Sequence, residues 1–307
     1  MAAAPARVTV RVPATTANIG PGYDSFGLAL GLYNTFTAEP ADSWRVEVTG
    51  EGAGELSSGA DNVVASSMAR WLAECGVAPE MAHIVCENGI PTGRGLGSSS
   101  SALVGGLLLA DAWCGGALGR DGVFSIAAEL EGHADNVAAA VFGGLTACWE
   151  DGGHRCAPLT PAPLAVVVVI AAEPLSTKAA RKMLPDTVPF GDAAFDAGRA
   201  GLAMAGLLLG RGDLLGAGLA DKLHEPYRAK AIPDFDIVRT ALLDAGADGA
   251  ALSGAGPTVM GIVTADDDAA AFERAARVAE KAQRILSAGG RRAPLALAID
   301  RTGAVVL

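Results

Sequence analysis

The stretch from Ile90 to Ser101 constrains this chain more than any other part of its sequence. It reads Ile-Pro-Thr-Gly-Arg-Gly-Leu-Gly-Ser-Ser-Ser-Ser, and an apolar run with helical character follows from Ala102 to Cys114. Glycines at alternate positions let the backbone turn sharply and leave its N–H groups unshielded. A glycine loop that opens a helix is typical of an anion site, because free N–H groups and the helix dipole converge there. Taken alone the stretch also fits a flexible turn, but phosphate binding is the favoured interpretation.

Two common phosphate motifs do not fit this loop. A Walker loop requires Lys followed by Ser or Thr after the glycines, and no Lys precedes the serines that follow here. The dinucleotide-binding fingerprint requires its third glycine at the position of Ser98. The loop therefore belongs to another class of phosphate site.

Length and charge bound the remaining possibilities. A chain of 307 residues predicts about two domains, and 50% hydrophobic residues suffice for a buried core. The net charge of -11 argues against nucleic-acid binding, which needs a basic surface. The longest apolar runs, Ala165–Ala172 and Gly201–Gly210, fall short of the ~20 residues of a membrane helix. We therefore expect no nucleic-acid partner and no membrane insertion.

Cysteine usage and the first residues bear on the compartment. Five cysteines occur without a CxxC pair, which favours reduced thiols over a disulfide or zinc framework. The residues from Met1 to Arg7 lack an apolar core of signal-peptide length. The expectation is a cytoplasmic protein.

Three further segments are rich in groups that carry chemistry. The loop Pro13–Asp24 holds Asn18 and Asp24 between turn residues, which is typical of a binding site on a loop. The alternative is that both residues form Asx turns that satisfy the local backbone. The segment Glu131–Asn136 groups acid, imidazole and amide side chains, although a solvated helix end explains it equally well. A second glycine loop runs from Leu252 to Thr258.

The order of predicted elements indicates an α+β protein. Strands and helices alternate without a sustained βαβ rhythm, and prolines near residue 160 mark a junction. We predict an N-terminal domain over 1–160 and a C-terminal domain over 161–307. Within them, Asp121 is expected to cap a helix that reaches Glu131, and another helix is expected over Asp213–Leu223.

The motifs together resemble a known enzyme superfamily. The segment Ile90–Ser101 matches the phosphate-loop pattern of the GHMP kinases at every position. The segments Pro13–Asp24, Glu131–Asn136 and Ser253–Thr258 look like those of the branch that phosphorylates L-homoserine. The resemblance extends from Val8 to about Ile299.

This resemblance implies a fold, an activity and a set of ligands. The fold would be the two-domain GHMP kinase fold, with an N-terminal domain of the ribosomal protein S5 domain 2-like type and a ferredoxin-like C-terminal domain. The activity would be ATP-dependent phosphorylation of the L-homoserine hydroxyl to O-phospho-L-homoserine, in threonine biosynthesis. Mg²⁺ would accompany ATP, and a homodimer is expected.

The resemblance also implies roles for individual residues. Nucleotide contacts would come from Asn62 at the adenine and from Pro91, Thr92, Gly93, Arg94, Gly95, Leu96, Gly97, Ser98, Ser99, Ser100 and Ser101. Ser98 and Glu131 would hold the metal ion and act with Asn136 as the catalytic residues. L-Homoserine would be bound by Asn18, Asp24, His133, Thr177, Arg181 and Arg228.

Two departures from the family pattern bear on mechanism. Only Gly132 separates Glu131 from His133, whereas some members place several residues there. Asn136 aligns where many relatives outside the homoserine branch carry a catalytic aspartate. An amide cannot act as a general base, so the expected mechanism relies on positioning and charge neutralisation, with Asn136 orienting the substrate hydroxyl.

The charged residues favour an amino-acid substrate. Asp24 can pair with an ammonium group, while Arg181 and Arg228 can each present a planar fork to a carboxylate. The alternative for both arginines is an exposed charge on a helix surface. Two other functions remain open at this stage: a sibling kinase acting on mevalonate, a sugar or shikimate, and a non-catalytic nucleotide-binding regulator.

Overall fold

A computed structural model describes residues 7–75, 81–286 and 293–307 of the chain. The residues before Arg7, which carry most of the signal-peptide argument, lie outside these ranges. The strands are β1 (Val8–Ala17), β2 (Phe26–Ala41), β3 (Arg45–Gly50), β4 (Met81–Asn88), β5 (Leu145–Glu150), β6 (His154–Leu159), β7 (Leu164–Val169), β8 (Gly249–Leu252), β9 (Val259–Thr264), β10 (Leu295–Ala298) and β11 (Val305–Val306). The α-helices are α1 (Val63–Glu74), α2 (Ser98–Trp113), α3 (Gly119–Glu131), α4 (Asp135–Phe142), α5 (Thr177–Arg181), α6 (Phe190–Leu209), α7 (Gly212–Gly218), α8 (Glu225–Arg228), α9 (Phe235–Ala245) and α10 (Asp268–Ile285).

The first sheet contains seven strands built around a long β1–β2 hairpin. Its order is β11-β1-β2-β4-β3, with β5 paired to β2 and β6 paired to β5. The β1–β2 register shifts between Pro13 and Ala14. Val8, Val10 and Val12 pack in the core beneath α1 and α2, whereas Ala14 packs in a second core shared with the other sheet. The shift therefore turns the end of β1 towards the second half of the molecule.

The second sheet contains four antiparallel strands in the order β10-β7-β9-β8. All six residues of β7 are buried, because both faces of this sheet are covered. Ala165, Val167 and Val169 pack in the core that includes residues of α9 and α10. Val166 and Val168 pack in the second core, which also takes residues of β2, α6 and α7. This shared core joins the two sheets.

The structure confirms mixed α and β architecture and corrects several local predictions. Asp121 does not cap α3, because that helix begins at Gly119 and Asp121 lies in its first turn. The helix expected over Asp213–Leu223 ends at Gly218, and the Asp221 carboxylate accepts hydrogen bonds from backbone N–H groups beyond it. The short helix α4, the strand β6 and the helix α9 were not anticipated.

The two sheets change over near the expected junction. β6 ends at Leu159 and β7 begins at Leu164, but β11 at the C-terminal end pairs with β1 of the first sheet. The boundary at 160/161 stays a prediction. No helix in the described ranges has both the length and the apolar character needed to cross a membrane.

Close packing of α1 against α2 depends on a glycine. A Cβ at Gly106 would lie 2.1 Å from Ser67 Oγ and 2.3 Å from the backbone oxygen of Val64. Gly201 in α6 is exposed and has open space around the same position. Both glycines lie inside helices, but only the Cβ position of Gly106 is blocked by a neighbouring helix.

We expect Gly106→Ala to lower the free energy of unfolding by about 1–3 kcal/mol, because overpacking must push the two helices apart. Gly201→Ala should raise it by roughly 0.5–1 kcal/mol through helix propensity. Urea unfolding of both variants and the wild type measures the two changes. Stabilisation by Gly106→Ala would contradict the packing described here.

Candidate active site

The glycine loop opens α2 with the geometry of an anion site. Gly93, Gly95 and Gly97 have φ values of 64°, 73° and 70°, which side chains rarely adopt. Gly97 is the N-cap of α2 and supplies no capping side chain, so the N–H groups of the first turn point into a cavity. A flexible turn does not describe this loop, because its backbone is held on several sides.

Strand β1 and the loop after β8 hold the glycine loop from both halves of the chain. Thr15 N–H donates to Leu96 O (3.1 Å), and Ser253 Oγ donates to Gly95 O (2.7 Å). A Cβ at Gly97 would lie 1.9 Å from Thr15 Oγ1, and a Cβ at Gly95 would lie 2.2 Å from Ser253 O. The two glycines are therefore required for close approach as well as for their backbone angles.

Some residues of this segment turn away from the cavity. Leu96 is fully buried in the shared core, while Ser101 is also fully buried and its Oγ has no hydrogen-bond partner. Pro91 is buried as well and does not line the cavity. Arg94 donates to the carbonyls of Thr92 (2.6 Å), Ala171 (3.3 Å) and Ala172, so its guanidinium joins the loop to the chain that leads into α5. Arg94 still lines the cavity, together with Gly93, Gly95, Gly97 and the serines Ser98, Ser99 and Ser100.

Glu131 lies beside these serines. α3 ends at Glu131, and Gly132, in the left-handed conformation with φ 81°, reverses the chain. The Glu131 carboxylate accepts hydrogen bonds from Ser99 Oγ (3.0 Å) and Ser100 Oγ (3.3 Å), and its side chain is only 12% exposed. A solvated helix end is therefore the wrong interpretation for Glu131.

The possible metal ligands form an oxygen-rich set. Across residues 7–75, 81–286 and 293–307, no three His, Cys, Asp or Glu side chains form a closed metal cage. Ser98 and Glu131 line the same cavity as the free N–H groups of α2. Hydroxyl and carboxylate oxygens suit Mg²⁺, which usually binds with few protein ligands alongside substrate phosphates.

A buried network follows Glu131 at the start of α4. Asp135, which is 2% exposed, accepts hydrogen bonds at Oδ1 from the backbone N–H of Asn136 (2.7 Å) and contacts His133 Nδ1 (2.8 Å). Thr15 Oγ1 donates to Asn136 Oδ1 (2.8 Å). Burial disfavours the charged ring, but the hydrogen bond and charge of Asp135 outweigh it and raise the pKa of His133 above its ordinary value. The network orients His133 and Asn136 towards the cavity.

Asn18 mainly shapes its own loop. Its Nδ2 donates to Gly254 O (2.7 Å), and its Oδ1 accepts from the backbone N–H of Asp24 (3.0 Å). Asn18, Ile19 and Asp24 have φ values of 66°, 53° and 53°, a conformation costly for residues other than glycine. Neither contact is an Asx turn, which joins a side-chain oxygen to the backbone two residues on: one spans six residues and the other reaches Gly254, and Asn18 also lines the cavity.

Asp24 and Arg181 form a bidentate ion pair at the cavity. Arg181 Nη1 lies 2.7 Å from Asp24 Oδ2, and Nη2 lies 2.9 Å from Oδ1. Both side chains are half-buried: that of Arg181 is 40% exposed and that of Asp24 is 36% exposed. Thr177, which begins α5, lines the cavity four residues before Arg181. Asp24, which we expect to bind an ammonium group, and Arg181, which we expect to bind a carboxylate, thus pair with each other.

Arg228 is not a surface charge. It is 2% exposed, donates to Gly254 O (3.2 Å) and contacts His224 Nδ1 (3.2 Å), while its Nε has no partner. Burial lowers the pKa of Arg228 from its ordinary value. The ring of Tyr23 lies 5.3 Å from the Arg228 guanidinium and 5.7 Å from that of Arg181. Arg228 therefore retains hydrogen-bonding capacity towards an anion in the cavity.

A second cavity of about 370 Å³ adjoins the first and shares Gly93, Ser98 and Ser99 with it. Its lining includes Phe36, Val48, Leu56, Val63, Val64, Ala102 and Asn62. Asn62 accepts from the backbone N–H of Val64 (2.9 Å) and donates to Ser57 O (2.7 Å), so it is Asn62 that caps α1, of the two residues, Asp61 and Asn62, that the sequence offers as caps. The two cavities together offer an apolar compartment and a charged compartment on either side of one anion site.

The structure brings together most of the predicted site residues. The first cavity is lined by Asn18, Asp24, Glu131, His133, Asn136, Thr177, Arg181 and Arg228 as well as the glycine loop. Sequence reasoning missed the contributions of Thr15, Asp135 and Ser253, although each lies in a segment that it singled out. Nothing in their spacing indicated which neighbour they would contact.

Comparisons with known proteins agree with this geometry. The family models described as "GHMP kinases N terminal domain" and "GHMP kinases C terminal" match residues 62–144 and 203–282. A homoserine kinase of Streptomyces coelicolor is 41% identical over 98% of this chain and 95% of its own length. A homoserine kinase of Moorella thermoacetica is 42% identical over 82% of this chain and 86% of its own.

A solved structure extends the likeness to three dimensions. The crystal structure of homoserine kinase from Cytophaga hutchinsonii superposes with a TM-score of 0.87 at 28% identity, covering 100% of this chain and 99% of that one. The predicted two-domain fold is thereby confirmed. This chain belongs to the GHMP kinase family.

Proposed function

We propose that this chain is an ATP-dependent kinase that phosphorylates the side-chain hydroxyl of L-homoserine, the activity that precedes threonine formation. The observation that carries the proposal is the Asp24–Arg181 ion pair in a cavity that also contains the buried Arg228. The names of the relatives support the same substrate.

The ion pair favours a zwitterionic substrate. An amino acid brings one ammonium and one carboxylate, so it can replace the Asp24–Arg181 pair with two new pairs and leave the net charge of the cavity unchanged. A substrate with a carboxylate alone would take Arg181 and leave Asp24 unpaired, which is costly for a half-buried charge. Mevalonate, sugars and shikimate therefore fit less well, since none carries an ammonium group.

The nucleotide is proposed to span the two cavities. The apolar compartment beside Asn62 suits a nucleoside, and the N-terminus of α2 suits the phosphates that follow it. The oxygen set of Ser98 and Glu131 suits Mg²⁺, which when bound would neutralise charge on the phosphate oxygens. Leu96 and Ser101 would contribute only through their backbone.

The proposed chemistry needs no general base. Asn136, held by Thr15 Oγ1 and the Asp135 network, would orient the substrate hydroxyl towards the terminal phosphorus of ATP. The hydroxyl oxygen attacks the phosphorus and the bond to the ADP oxygen breaks. After much of that bond has broken, the hydroxyl proton passes to an oxygen of the transferred phosphoryl group and from there to solvent. A loose transition state tolerates this order because little nucleophilic push is required. The first-turn N–H groups of α2 stabilise the charge that develops on the phosphate oxygens.

The expected homodimer and cytoplasmic location belong to this proposal as well. They accord with the family, and the described surface adds no argument for either. A non-catalytic regulator is disfavoured, because the phosphate loop, Glu131 and Asn136 are all held in one cavity.

A substrate panel tests the function directly. We expect ADP release in the presence of L-homoserine and little release with mevalonate, galactose or shikimate, because only the first carries both charges. A coupled ADP assay with each alcohol makes the comparison. Comparable turnover of mevalonate would remove the homoserine assignment.

Arg181→Lys and Arg228→Lys should each weaken homoserine binding about 10- to 100-fold, since a charge-assisted hydrogen bond contributes roughly 1.5–3 kcal/mol and Lys lacks the planar fork. The loss should be larger at the buried Arg228, and ATP affinity should change little. Calorimetry with each ligand measures both.

Arg211→Lys provides a matched control, because Arg211 pairs with Asp213 on the surface and lies outside both cavities. L-Homoserinol, in which the carboxylate is reduced to an alcohol, should bind no worse to Arg228→Lys than to the wild type. Loss of ATP affinity with homoserine affinity retained would assign the arginines to the nucleotide.

Asn136→Ala should slow turnover by less than the ~10²–10⁴-fold that a general base contributes, and the pH–rate profile should lose no ionisation. Thr15→Val, which removes the donor to Asn136 Oδ1, should lose part of the turnover that Asn136→Ala loses. Thr15→Ser keeps the hydroxyl donor and should retain the turnover of the wild type. Steady-state kinetics from pH 6 to pH 9 measures these differences. Complete inactivation with homoserine binding intact would show that Asn136 does more than orient the hydroxyl.

A further inference from the structure

His224 lies at the boundary between the two halves of the amino-acid subsite. It directly precedes α8 and is fully buried. One ring nitrogen faces the loop that carries Asn18 and Asp24, and the other faces Arg228. The proposed phosphoryl transfer gives the His224 side chain no role, although this side chain contacts both Gly20 and Arg228.

The contacts of the ring determine its proton positions. Nε2 lies 2.8 Å from the backbone oxygen of Gly20, which can only accept, so Nε2 carries a proton. Nδ1 lies 3.2 Å from Arg228 Nη1, which can only donate, so Nδ1 presents its lone pair. The ring is therefore neutral, with its proton on Nε2.

The groups around the ring act on its charge in both directions, and burial is the largest effect. Burial, the leading cause, and the positive charge of Arg228 lower the pKa of His224, while Asp221, the Gly20 contact and Asp24 oppose the change. Asp221 Oδ2 lies 3.8 Å from Nε2, and the Tyr23 ring lies 5.5 Å from the imidazole. Glu225, the next residue, is turned away to accept a hydrogen bond from Leu252 N–H. A second proton on Nδ1 would place a cation against the Arg228 guanidinium.

The position of the ring is itself fixed by the chain before α8. Asp221 accepts hydrogen bonds from the backbone N–H groups of Leu223 (3.1 Å), His224 (2.9 Å) and Glu225 (2.6 Å). The His224 backbone is thus held by these hydrogen bonds. Its side chain is fully buried, so the surrounding residues leave it no room to rotate.

We propose that neutral His224 is a positioning residue that aims the Arg228 guanidinium at the substrate carboxylate and ties it to the loop carrying Asp24. The proposal rests on the proposed function, in which Arg228 binds that carboxylate. His224 acts through Arg228 and through Gly20, and it does not contact the reacting atoms. It keeps the carboxylate-binding and ammonium-binding groups at the separation of an α-amino acid.

Substitutions separate the two hydrogen bonds. His224→Phe keeps a ring against Tyr23 and removes both nitrogens. His224→Asn places an amide oxygen near the position of Nδ1, where it can accept from Arg228. His154→Phe is the matched control, because His154 lies on β6 and lines neither cavity.

The KM for L-homoserine should rise about tenfold or more in His224→Phe, the effect of one charge-assisted hydrogen bond, with the KM for ATP little changed. His224→Asn should restore part of the loss, and His154→Phe should match the wild type. With L-homoserinol the difference between His224→Phe and the wild type should be much smaller, because only the effect through Gly20 remains. A folded His224→Phe variant with wild-type KM for homoserine, or one that loses both substrates equally, would overturn the proposal.

An NMR measurement on the wild-type chain covers the case in which the variants do not fold. The ¹⁵N resonances of His224 should show a protonated Nε2 and a bare Nδ1 at pH 7.5, and Nδ1 should shift on addition of L-homoserine but not of L-homoserinol. A doubly protonated ring, or a Nδ1 resonance indifferent to homoserine, would overturn the proposal. Failure of the wild type to phosphorylate homoserine would instead remove the proposed function.

Discussion

The close approach of strand β1 and the Ser253 loop to the glycine-rich segment is the constraint on which the rest of the site depends. Gly95 and Gly97 meet Ser253 and Thr15 at distances that leave no room for a Cβ. Hydrogen bonds from Thr15 N–H and Ser253 Oγ then hold the loop backbone. Because Thr15 also donates to Asn136, the amide that we propose to orient the acceptor hydroxyl is held by the same residue that fixes the glycine loop. Nucleotide and acceptor positions are thus set together.

Charge balance is the second organising feature. Asp24 and Arg181 neutralise each other at the mouth of the cavity, while the buried Arg228 retains an unpaired Nε. A zwitterion can exchange partners with this pair without leaving a charge unmatched, whereas other alcohols cannot. In the proposed function, substrate preference would therefore arise from the cost of leaving a charge unpaired as much as from new attractive contacts.

Particular residues show how far sequence reasoning reached. The loop from Ile90 to Ser101 predicted an anion site because backbone conformation and helix geometry are local properties. The cap of α1 is equally local: the sequence offers Asp61 or Asn62 for it, and Asn62 is the one that caps the helix. Asp121 was wrong as a cap because α3 begins before it, and the carboxylate of Asp221, rather than propensity, organises the chain after α7.

The sequence by itself determined the class of protein, the phosphate loop and the identity of most side chains in the cavity, since these follow from short motifs and their order. The tertiary structure alone decided which of those groups are free to bind. In the folded chain the Asn18 amide is bonded to backbone partners, and Arg94 donates to carbonyl groups. Asp24 pairs with Arg181, and Arg228 is buried beside His224. These contacts join residues up to 236 positions apart, and a hydrogen bond depends on distances of a fraction of an ångström. No local pattern encodes such distances, because packing of the two sheets around one shared core creates them.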